Sequence, residues 1–315
     1  MKKIKIGIIG CGKVAHIHAA ALQALKNSEF VGVCSRDEQR AKLFAGQYQV
    51  SPYTNLDTFL SQSGIEAVII CTPHPFHLLP AVRAAKNGIH VLVEKPLASS
   101  LADCDEMIKV AKNAGVKLGV ISQRRFYEPV HRVKKAIEEN KIGKPILATV
   151  TMLGWRDQNY YQSNSWRGTW KEEGGGVLVN QAPHQLDLLQ WFLGPIDELY
   201  GMWANLNHLY LEVEDTALAV IRFKNGALGN IVLSNSQNPA LYGNVHLHGD
   251  NGASIGVQTD GGAMFIAGMT TIEEPPLNDL WTIPGESHFL EKWKKEDTEY
   301  FKTIEIGRAS CRERV

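Results

Sequence analysis

The chain has 315 residues, 44% of them hydrophobic, and it carries 33 basic residues against 33 acidic ones. This length exceeds what one hydrophobic core usually organises, so the composition predicts two domains. Balanced charge without a long run of either sign argues against nucleic acid or an anionic membrane as a partner and favours a small substrate. No apolar stretch reaches the roughly 18 residues that a membrane-spanning helix requires.

Five cysteines are scattered along the chain without CxxC spacing, and four of them lie in apolar or helical stretches. Cysteine behaves as a small buried hydrophobe in such surroundings. The amino terminus has two lysines before an apolar run, but Lys5 and several glycines interrupt that run and no small-residue cleavage site follows. We therefore expect a reduced, cytoplasmic protein without a signal peptide.

Residues 1–122 alternate between apolar strand patterns and helical patterns. Strands are predicted at residues 3–9, 29–34, 66–71, 89–93 and 117–121. The first helix is predicted to pack through one apolar stripe, formed by Val14, Ile17, His18, Ala21, Leu22 and Leu25. This βαβα alternation is typical of a parallel sheet with helices on both faces. We predict a doubly wound α/β domain over residues 1–122.

The turn between the first strand and the first helix has the pattern of a dinucleotide-binding loop. It reads Gly10-Cys11-Gly12-Lys13-Val14-Ala15. Gly10 permits a tight turn, and Gly12 lets the backbone approach a pyrophosphate. The backbone N–H groups of Lys13 and Val14, at the helix start, are available to bind that anion. In this context the pattern predicts dinucleotide binding, the alternative being a purely structural glycine turn.

The second predicted strand is followed by Ser35-Arg36-Asp37, where such a fold contacts the adenosine ribose. An acidic residue there would accept hydrogen bonds from the 2′-OH of NAD, whereas a hydroxyl and a guanidinium suit the 2′-phosphate of NADP. Ser35 and Arg36 therefore favour NADP over NAD. The alternatives are that Asp37 binds the ribose, or that it caps the next helix while Arg36 points into solvent.

The segment HVLVEKPLA, residues 90–98, places Glu94, Lys95 and Pro96 directly after a predicted strand. Ligands of open parallel sheets bind beyond the carboxyl ends of the strands, so this cluster should lie at the nicotinamide end of the crevice. Pro96 restricts the local backbone, and a cis Lys95–Pro96 bond would hold the amine in one direction. We predict that Lys95 is catalytic; the alternative is a surface pair of Glu94 and Lys95.

Four segments occur in an order and at intervals that fit one known family. They read GIIGCGKVAHIHAAAL, VIICTPHPFH, GIHVLVEKPLA and GGGVLVNQAPHQLD. Together they resemble the Gfo/Idh/MocA family of NAD(P)-dependent oxidoreductases, named for glucose-fructose oxidoreductase and inositol dehydrogenase. The resemblance implies a Rossmann domain followed by an α/β domain with an open, mostly antiparallel sheet. That sheet is expected to cover the cofactor and to form a homodimer or homotetramer.

The second half of the chain is rich in strand patterns. They lie at residues 145–153, 196–206, 214–223, 228–235 and 243–257. Asn225-Gly226 and Asn251-Gly252 interrupt them as hairpin turns, which predicts an antiparallel sheet. We expect a substrate-binding and oligomerisation domain over residues 123–305. Residues 306–315 fit neither a helix nor a strand pattern and are predicted to be a non-native or disordered tail.

The segment of residues 174–194 resembles the family's second catalytic motif, in which an Asp and a His lie four residues apart on a helix. Here the pair is Asn180 and His184, and asparagine can orient a hydroxyl but cannot take a proton. We assign proton transfer to His184, alkoxide stabilisation to Lys95 and positioning of the sugar to Asn180. The alternative is that Asp187 merely satisfies the His184 ring, although it could equally orient a catalytic ring.

The resemblance implies further contacts with the cofactor. Thr72, Pro73 and His77 match the family's loop that lines the nicotinamide ribose, and Glu94 resembles its cofactor-facing acid. The alternative for this loop is a proline-rich helix start.

Other residues are candidates for contact with a sugar. Arg125, Tyr161 and Arg167 are predicted to bind substrate, because aromatic rings and guanidinium groups suit carbohydrate. Core packing, oligomer contacts or solvated linker charge are the alternatives for them. His246 and His248 alternate on one strand without a third metal ligand at suitable spacing, which favours a sheet-face or interface role.

These observations predict an NAD(P)-dependent dehydrogenase or reductase of a sugar or polyol. One alternative is an enzyme that oxidises and re-reduces a glycoside during hydrolysis without net redox change. Another is a non-catalytic, cofactor-binding regulator on the same scaffold. The presence of both Lys95 and His184 favours an enzyme, because a regulator needs neither.

Overall fold

The computed structural model describes residues 2–241, 243–259 and 276–312, with side chains up to residue 300. The chain forms two compact units, the first up to Ile121 and the second over Ser122–Thr303. Within the described residues, no helix has the length and apolar character needed to cross a membrane.

Among the described residues, the first unit contains a six-stranded parallel sheet. Its strands are β1 (Ile4–Ile9), β2 (Ser28–Cys34), β3 (Ser51–Tyr53), β4 (Ala67–Ile70), β5 (His90–Val93) and β6 (Leu118–Val120). Its helices are α1 (Lys13–Ala24), α2 (Glu38–Tyr48), α3 (Leu56–Gln62), α4 (Leu78–Lys86) and α5 (Leu101–Ala114). The strand order β3-β2-β1-β4-β5-β6 has its switch point between β1 and β4, which is the Rossmann topology. The predicted doubly wound fold is therefore confirmed.

One strand of this sheet, β3, was not predicted from the sequence. It has three residues with Pro52 in the middle, and it pairs at the sheet edge with β2. Proline is tolerated on an edge strand but has no backbone N–H to donate to a neighbouring strand. A three-residue strand with a central proline therefore gives almost no strand signal in the sequence.

Both faces of the first sheet are buried. The neighbouring residues Ile8 and Ile9 of β1 pack into separate cores, because successive side chains of a strand point to opposite faces. Helix α1 joins the Ile8 core through Ala15, Ala19 and Leu22.

The predicted apolar stripe of α1 is therefore wrong in part. Val14 is 41% exposed and Ile17 is 55% exposed, whereas Ala15 and Ala19 are fully buried. Small side chains let the helix lie close to the sheet directly after the glycine turn, and this tertiary requirement outweighs the apolar period.

The second unit contains, among the described residues, a seven-stranded mixed sheet. Its strands are β7 (Pro145–Leu153), β8 (Ile196–Ala204), β9 (Thr216–Phe223), β10 (Leu228–Ser234), β11 (Gly243–Gly249), β12 (Ser254–Thr259) and β13 (Leu277–Trp281). Its helices are α6 (Glu128–Glu138), α7 (Gln158–Gln162), α8 (Val177–Asn180), α9 (Pro183–Leu193) and α10 (Phe289–Arg312). The order is β13-β12-β11-β7-β10-β9-β8, and neighbours are antiparallel except for β7 and β10. The predicted open, mostly antiparallel sheet is confirmed.

The two predicted hairpins have the same Asn-Gly turn geometry. Gly226 between β9 and β10 has φ +90°, and Gly252 between β11 and β12 has φ +84°. The preceding asparagine accepts a hydrogen bond from the backbone two residues on, at 2.9 Å for Asn225 and 3.0 Å for Asn251. Asparagine followed by glycine thus fixes both turns, and with them the register of the sheet.

One face of the second sheet is covered by helices. Val245 and Leu247 of β11 pack with Val133 of α6 and Leu188 of α9 in a single core. On the other face of β11, His246 is only partly buried.

The carboxyl-terminal end differs from the sequence prediction. Helix α10 extends to Arg312, so the backbone of residues 306–312 is helical rather than irregular. Residues 313–315 of the predicted tail lie outside the described part of the chain.

A buried carboxylate holds the turn between β8 and β9. Asp215 accepts hydrogen bonds from the backbone N–H groups of Leu206, Asn207 and His208 at 3.1, 2.8 and 2.9 Å, and from the His208 ring at 3.0 Å. Burial alone would raise the pKa of Asp215, but these hydrogen bonds outweigh burial and lower the pKa to about 2.

We expect Asp215→Asn to reduce the free energy of unfolding by about 3 kcal/mol, because an amide nitrogen would then face N–H donors. The folded pKa lies below the unfolded value of roughly 3.9, so the carboxylate's contribution is complete above about pH 4 and is lost as pH falls towards 2. Thermal unfolding followed by circular dichroism should show a large difference from wild type at pH 7 that shrinks below pH 4. The exposed control Asp197→Asn should change stability by less than about 0.5 kcal/mol at either pH. A pH-independent difference for Asp215→Asn would contradict this account.

Candidate functional site

The glycine turn after β1 has the geometry of a dinucleotide-binding loop. Gly10 has φ +103°, and a Cβ placed on it would lie 2.9 Å from the backbone of both Cys71 and Thr72. Gly12 is the N-cap residue of α1, and a Cβ there would meet nothing within 4 Å. Gly10 is thus needed for conformation and packing, whereas Gly12 leaves space beside the free N–H groups of the helix. These residues fit a dinucleotide pyrophosphate.

The segment after β2 combines a helix cap with an exposed guanidinium. Asp37 caps α2 by accepting a hydrogen bond from the backbone N–H of Arg40 at 3.0 Å. Ser35 Oγ accepts from the Asp37 N–H at 3.3 Å. The guanidinium of Arg36 lies 5.2 Å over the ring of Phe76. The capping alternative for Asp37 is therefore observed, while Arg36 contacts a ring instead of extending freely into solvent.

Glu94 links the segment that carries Lys95 to the first helix. Its Oε1 lies 2.7 Å from Nε2 of His18, and its Oε2 accepts from the backbone N–H of Lys95 at 3.2 Å. The Lys95–Pro96 peptide bond is cis. His18 was predicted to belong to a packing stripe, and its contact with Glu94 has no local sequence signal because the two residues are 76 positions apart.

His77 contacts two backbone loops instead of an open site. His77 is only 1% exposed. Its Nε2 lies 2.7 Å from the carbonyl oxygen of Thr72. Nδ1 lies 3.1 Å from the carbonyl of Pro96 and 3.2 Å from that of Leu97. Burial lowers the pKa of His77. This differs from the predicted contact of His77 with the ribose, because the ring is enclosed by its own unit.

In the second unit, a buried acid holds the glycine triplet that precedes α8. Glu214 accepts hydrogen bonds from the backbone N–H groups of Gly176 at 2.8 Å and Leu178 at 3.0 Å. A Cβ on Gly176 would lie 1.8 Å from the Glu214 carbonyl oxygen. The triplet is therefore required for close packing, and it fixes the start of the short helix that ends at Asn180. Glu214 was not predicted from the sequence, because it lies 38 residues from Gly176.

Asn180 contacts a second buried acid. Its Nδ2 donates a close hydrogen bond to Oε1 of Glu173 and lies 3.3 Å from the Tyr160 hydroxyl. Glu173 is 1% exposed, and its Oε2 also accepts from the Gly168 N–H at 2.5 Å. Burial raises the pKa of Glu173. This acid, seven residues before Asn180, was also missed.

Tyr161 and Arg167, two of the residues predicted to contact sugar, pack against other side chains of the second unit. Tyr161 is 5% exposed, and its hydroxyl accepts from Asn235 Nδ2 at 3.2 Å. Burial raises the pKa of Tyr161. The guanidinium of Arg167 lies 4.1 Å over the Tyr160 ring and 4.4 Å over the Trp166 ring. The core alternative thus describes Tyr161 better than direct substrate contact, while Arg167 is partly buried.

Asp187 is bound by Arg125 in a bidentate pair, with N–O distances of 2.8 and 2.6 Å. The same guanidinium lies 5.4 Å over the ring of Trp191. Arg125 therefore braces α9, the helix that carries His184. The predicted contact between Asp187 and the His184 ring stays a prediction. The predicted contact of Arg125 with substrate stays a prediction.

His246 and His248 have partners on their own sheet. His246 Nε2 lies 2.7 Å from Asp279 Oδ2, and His248 Nδ1 lies 2.8 Å from Ser254 Oγ. These contacts fit the sheet-face role. Among the residues that the structure describes, no group of three or more His, Cys, Asp or Glu side chains could hold a metal ion.

Comparison with known proteins identifies the class. Residues 4–122 match the oxidoreductase family model with an NAD-binding Rossmann fold, and residues 130–255 match the GFO/IDH/MocA C-terminal domain. The 2,7-anhydro-N-acetylneuraminate hydratase of Escherichia coli (strain K12) is 30% identical over 273 residues, which cover 85% of this chain and 71% of the hydratase. The myo-inositol 2-dehydrogenase of Thermotoga maritima is 30% identical over 247 residues, or 76% of this chain and 70% of that enzyme.

A solved structure extends this similarity to the fold. The WlbA dehydrogenase from Bordetella pertussis, in complex with NADH and UDP-GlcNAcA, has a TM-score of 0.84 and 30% identity. The match covers 96% of this chain and 84% of WlbA. The chain belongs to the Gfo/Idh/MocA family of NAD-binding oxidoreductases, as its four sequence motifs predicted.

We expect Gly176→Ala to reduce the free energy of unfolding by about 3 kcal/mol, because the added methyl group would collide with the Glu214 backbone. Thermal unfolding by calorimetry measures the change. A suitable control is Gly201→Ala, since a Cβ at this exposed position of β8 has only ordinary contacts, the nearest at 3.4 Å. That variant should differ from wild type by less than about 0.5 kcal/mol. Equal stability of the two variants would show that the triplet is not held as described.

Proposed function

We propose that the protein is an NAD(P)-dependent dehydrogenase or reductase of a sugar or polyol. The observation that carries the proposal is Lys95, two residues after the end of β5 at the carboxyl end of the Rossmann sheet, in a chain of this oxidoreductase family. Ligands of such sheets bind beyond the carboxyl ends of the strands. Lys95 is therefore presented where a substrate oxygen would react.

The residues of the first unit fit a nicotinamide dinucleotide, which supplies the hydride acceptor or donor when bound. The N–H groups of Lys13 and Val14, beside Gly10 and Gly12, would bind its pyrophosphate. The backbone of Thr72 and Pro73, at the end of β4, would line the nicotinamide ribose. Thr72 is itself ordered by a hydrogen bond from its hydroxyl to the Phe76 carbonyl at 3.2 Å.

The adenosine end favours NADP. Asp37 is engaged as a helix cap, so its carboxylate is directed at the N–H of Arg40 and not at a ribose hydroxyl. Ser35 and Arg36 would then bind a 2′-phosphate, because a hydroxyl and a guanidinium donate to phosphate oxygens. The similar WlbA dehydrogenase was solved with NADH, so both cofactors belong in the assay.

In the proposed reaction, His184 takes the proton of a substrate hydroxyl during oxidation and returns it during reduction. Lys95 donates a hydrogen bond to the same oxygen and stabilises the alkoxide charge that develops as the hydride leaves the carbinol carbon. Asn180 orients a neighbouring group of the sugar. Arg125 contributes indirectly, since its pair with Asp187 braces the helix that carries His184.

The substrate class follows from the relatives. WlbA was solved with UDP-GlcNAcA, and the two relatives described above are named for myo-inositol and for 2,7-anhydro-N-acetylneuraminate. All three names describe ring compounds that carry several hydroxyl groups. We infer a polyhydroxylated ring as substrate, and these three compounds form the first assay panel.

A second candidate is a redox-neutral reaction, in which the substrate is oxidised and then re-reduced by the same bound cofactor. The similarity to a hydratase favours this candidate, because hydration involves no net redox change. It would use the same residues: Lys95 and His184 would act on a transient ketone. The third alternative, a non-catalytic regulator, predicts cofactor binding without any change of the nicotinamide.

We also infer that the chain forms a homodimer or homotetramer through the second sheet. On β8 and β9, large apolar side chains on one face of the sheet are exposed, among them Met202 at 65% and its cross-strand neighbour Leu218 at 49%. Contiguous apolar surface of this kind marks an interaction site.

The proposed chemistry predicts that His184→Ala lowers kcat at least 100-fold and leaves the Kd of NADH and NADPH within about threefold. Nicotinamide fluorescence measures both quantities while UDP-GlcNAcA, myo-inositol and 2,7-anhydro-N-acetylneuraminate are added. The control His246→Ala removes a histidine that pairs with Asp279 on the sheet, and it should retain wild-type turnover. Turnover that survives in His184→Ala would mean that another group is the base. Substrate conversion with only a transient nicotinamide signal would favour the redox-neutral reaction, and firm cofactor binding without any signal would favour the regulator.

The cofactor assignment predicts that Arg36→Leu raises the KM for NADP about tenfold or more, because charge-assisted hydrogen bonds to phosphate would be lost, and leaves the KM for NAD nearly unchanged. The control Arg83→Leu removes an exposed arginine that pairs with Asp57. It should change neither KM. A wild-type protein that clearly prefers NAD would refute the assignment.

A further inference from the structure

We propose that Glu173 is a positioning residue that fixes the side-chain amide of Asn180, so that Asn180 presents a hydrogen-bond acceptor to a hydroxyl of the substrate. The inference rests on the proposed function, in which Asn180 orients the sugar. It adds a residue outside the family motif and defines the chemistry of the group that Asn180 contacts.

The orientation follows from the donors and acceptors around the amide. Asn180 Nδ2 donates to Glu173 Oε1 and lies 3.3 Å from the Tyr160 hydroxyl. An ionised carboxylate can only accept hydrogen bonds, so a flipped amide would place Oδ1 against a second acceptor. The hydrogen bond to Glu173 therefore fixes which end of the amide faces the carboxylate. The carbonyl oxygen has two lone pairs and is the atom that can accept a substrate hydroxyl.

Glu173 is itself held in place. Its residue is 1% exposed, and Oε2 accepts from the Gly168 N–H at 2.5 Å. The two carboxylate oxygens thus have different partners, a backbone amide on one side and Asn180 on the other. Burial raises the pKa of Glu173, and the hydrogen bonds from Gly168 and Asn180 oppose this rise by stabilising the carboxylate.

The Tyr160 end of the cluster is equally fixed. Its hydroxyl oxygen accepts from Arg167, whose guanidinium is stacked 4.1 Å over the Tyr160 ring and cannot accept a hydrogen bond. Gln181 Nε2 donates to the same oxygen at 3.1 Å, while its Oε1 accepts from Asn235 at 2.9 Å.

This arrangement accounts for asparagine at position 180, where the family motif carries aspartate. An aspartate in this place would put two carboxylates within hydrogen-bond distance, and like charges so close must share a proton. The pair of Glu173 and Asn180 keeps one negative charge and one donor.

The pair predicts a specific pattern for three variants. Glu173→Gln removes the fixed acceptor and lets the amide turn, and Asn180→Asp creates two adjacent carboxylates. Each single change should reduce kcat/KM at least tenfold. The double variant Glu173→Gln/Asn180→Asp exchanges the two groups and restores one donor and one acceptor, so its kcat/KM should return to within about threefold of wild type.

The assay uses the full chain and whichever of UDP-GlcNAcA, myo-inositol and 2,7-anhydro-N-acetylneuraminate is converted. Glu172→Gln is a matched control, because it makes the same change at the adjacent, exposed glutamate and should leave kcat/KM unchanged. A double variant no more active than the weaker single variant would overturn the proposal.

A second measurement does not depend on turnover. In Asn180→Asp the shared proton raises a folded-state pKa above its unfolded value, so the folded state binds more protons and the variant should lose stability as pH rises from 5 to 8. The thermal midpoint of the double variant should follow that of wild type over this range. No pH-dependent loss in Asn180→Asp, or the same loss in the double variant, would contradict the pairing even if no sugar were converted. If Asn180→Asp fails to fold, folding of the double variant supports the pairing and its failure to fold overturns it.

Discussion

Buried carboxylates that accept backbone N–H groups hold the second unit together around its candidate site. Glu214 binds the N–H groups of Gly176 and Leu178, and the adjacent Asp215 binds three N–H groups of the turn before β9. A charge inside a protein is costly unless hydrogen bonds compensate it, so each acid tolerates only the backbone geometry that supplies its donors. The position of α8 and of Asn180 depends on this constraint.

In the first unit, a buried imidazole instead of a carboxylate contacts the backbone of two loops. His77 lies between the carbonyl of Thr72, after β4, and the carbonyls of Pro96 and Leu97, after β5. Glu94 connects the same second loop to α1 through His18. The residues on either side of Lys95 are thus held by contacts within the first unit, Glu94 by His18 and Pro96 by His77. A reacting amine needs such a support, because small errors of position cost large factors in rate.

Local signals in the sequence were sufficient for most of the fold. Asn225-Gly226 and Asn251-Gly252 defined two hairpins, and the turn from Gly10 to Val14 defined the dinucleotide loop, because each depends on residues adjacent in the chain. The face of α1 was predicted wrongly, since close packing on the sheet selected alanines over larger apolar side chains.

The side chains that support the site could not be predicted in the same way. Glu214 and His18 act through partners 38 and 76 residues away, and no local pattern reports such a contact. Tyr161 is of a residue type that commonly contacts sugars, but its burial and its hydrogen bond with Asn235 depend on the tertiary fold. Glu173 stood only seven residues from Asn180, yet an acid before a glycine triplet has no distinctive meaning without the hydrogen bond between them.

The central proposal is that the protein transfers a hydride between a carbinol carbon and a nicotinamide, and that Lys95 and His184 are needed for this reaction. The most direct measurement is the fate of deuterium placed on the carbinol carbons of myo-inositol, UDP-GlcNAcA and 2,7-anhydro-N-acetylneuraminate, followed by NMR of the cofactor after incubation with NAD or NADP. The account predicts deuterium at C4 of the nicotinamide with at least one of these compounds, and none when Lys95 is replaced by methionine. A cofactor that binds and stays free of deuterium with all three compounds would contradict it.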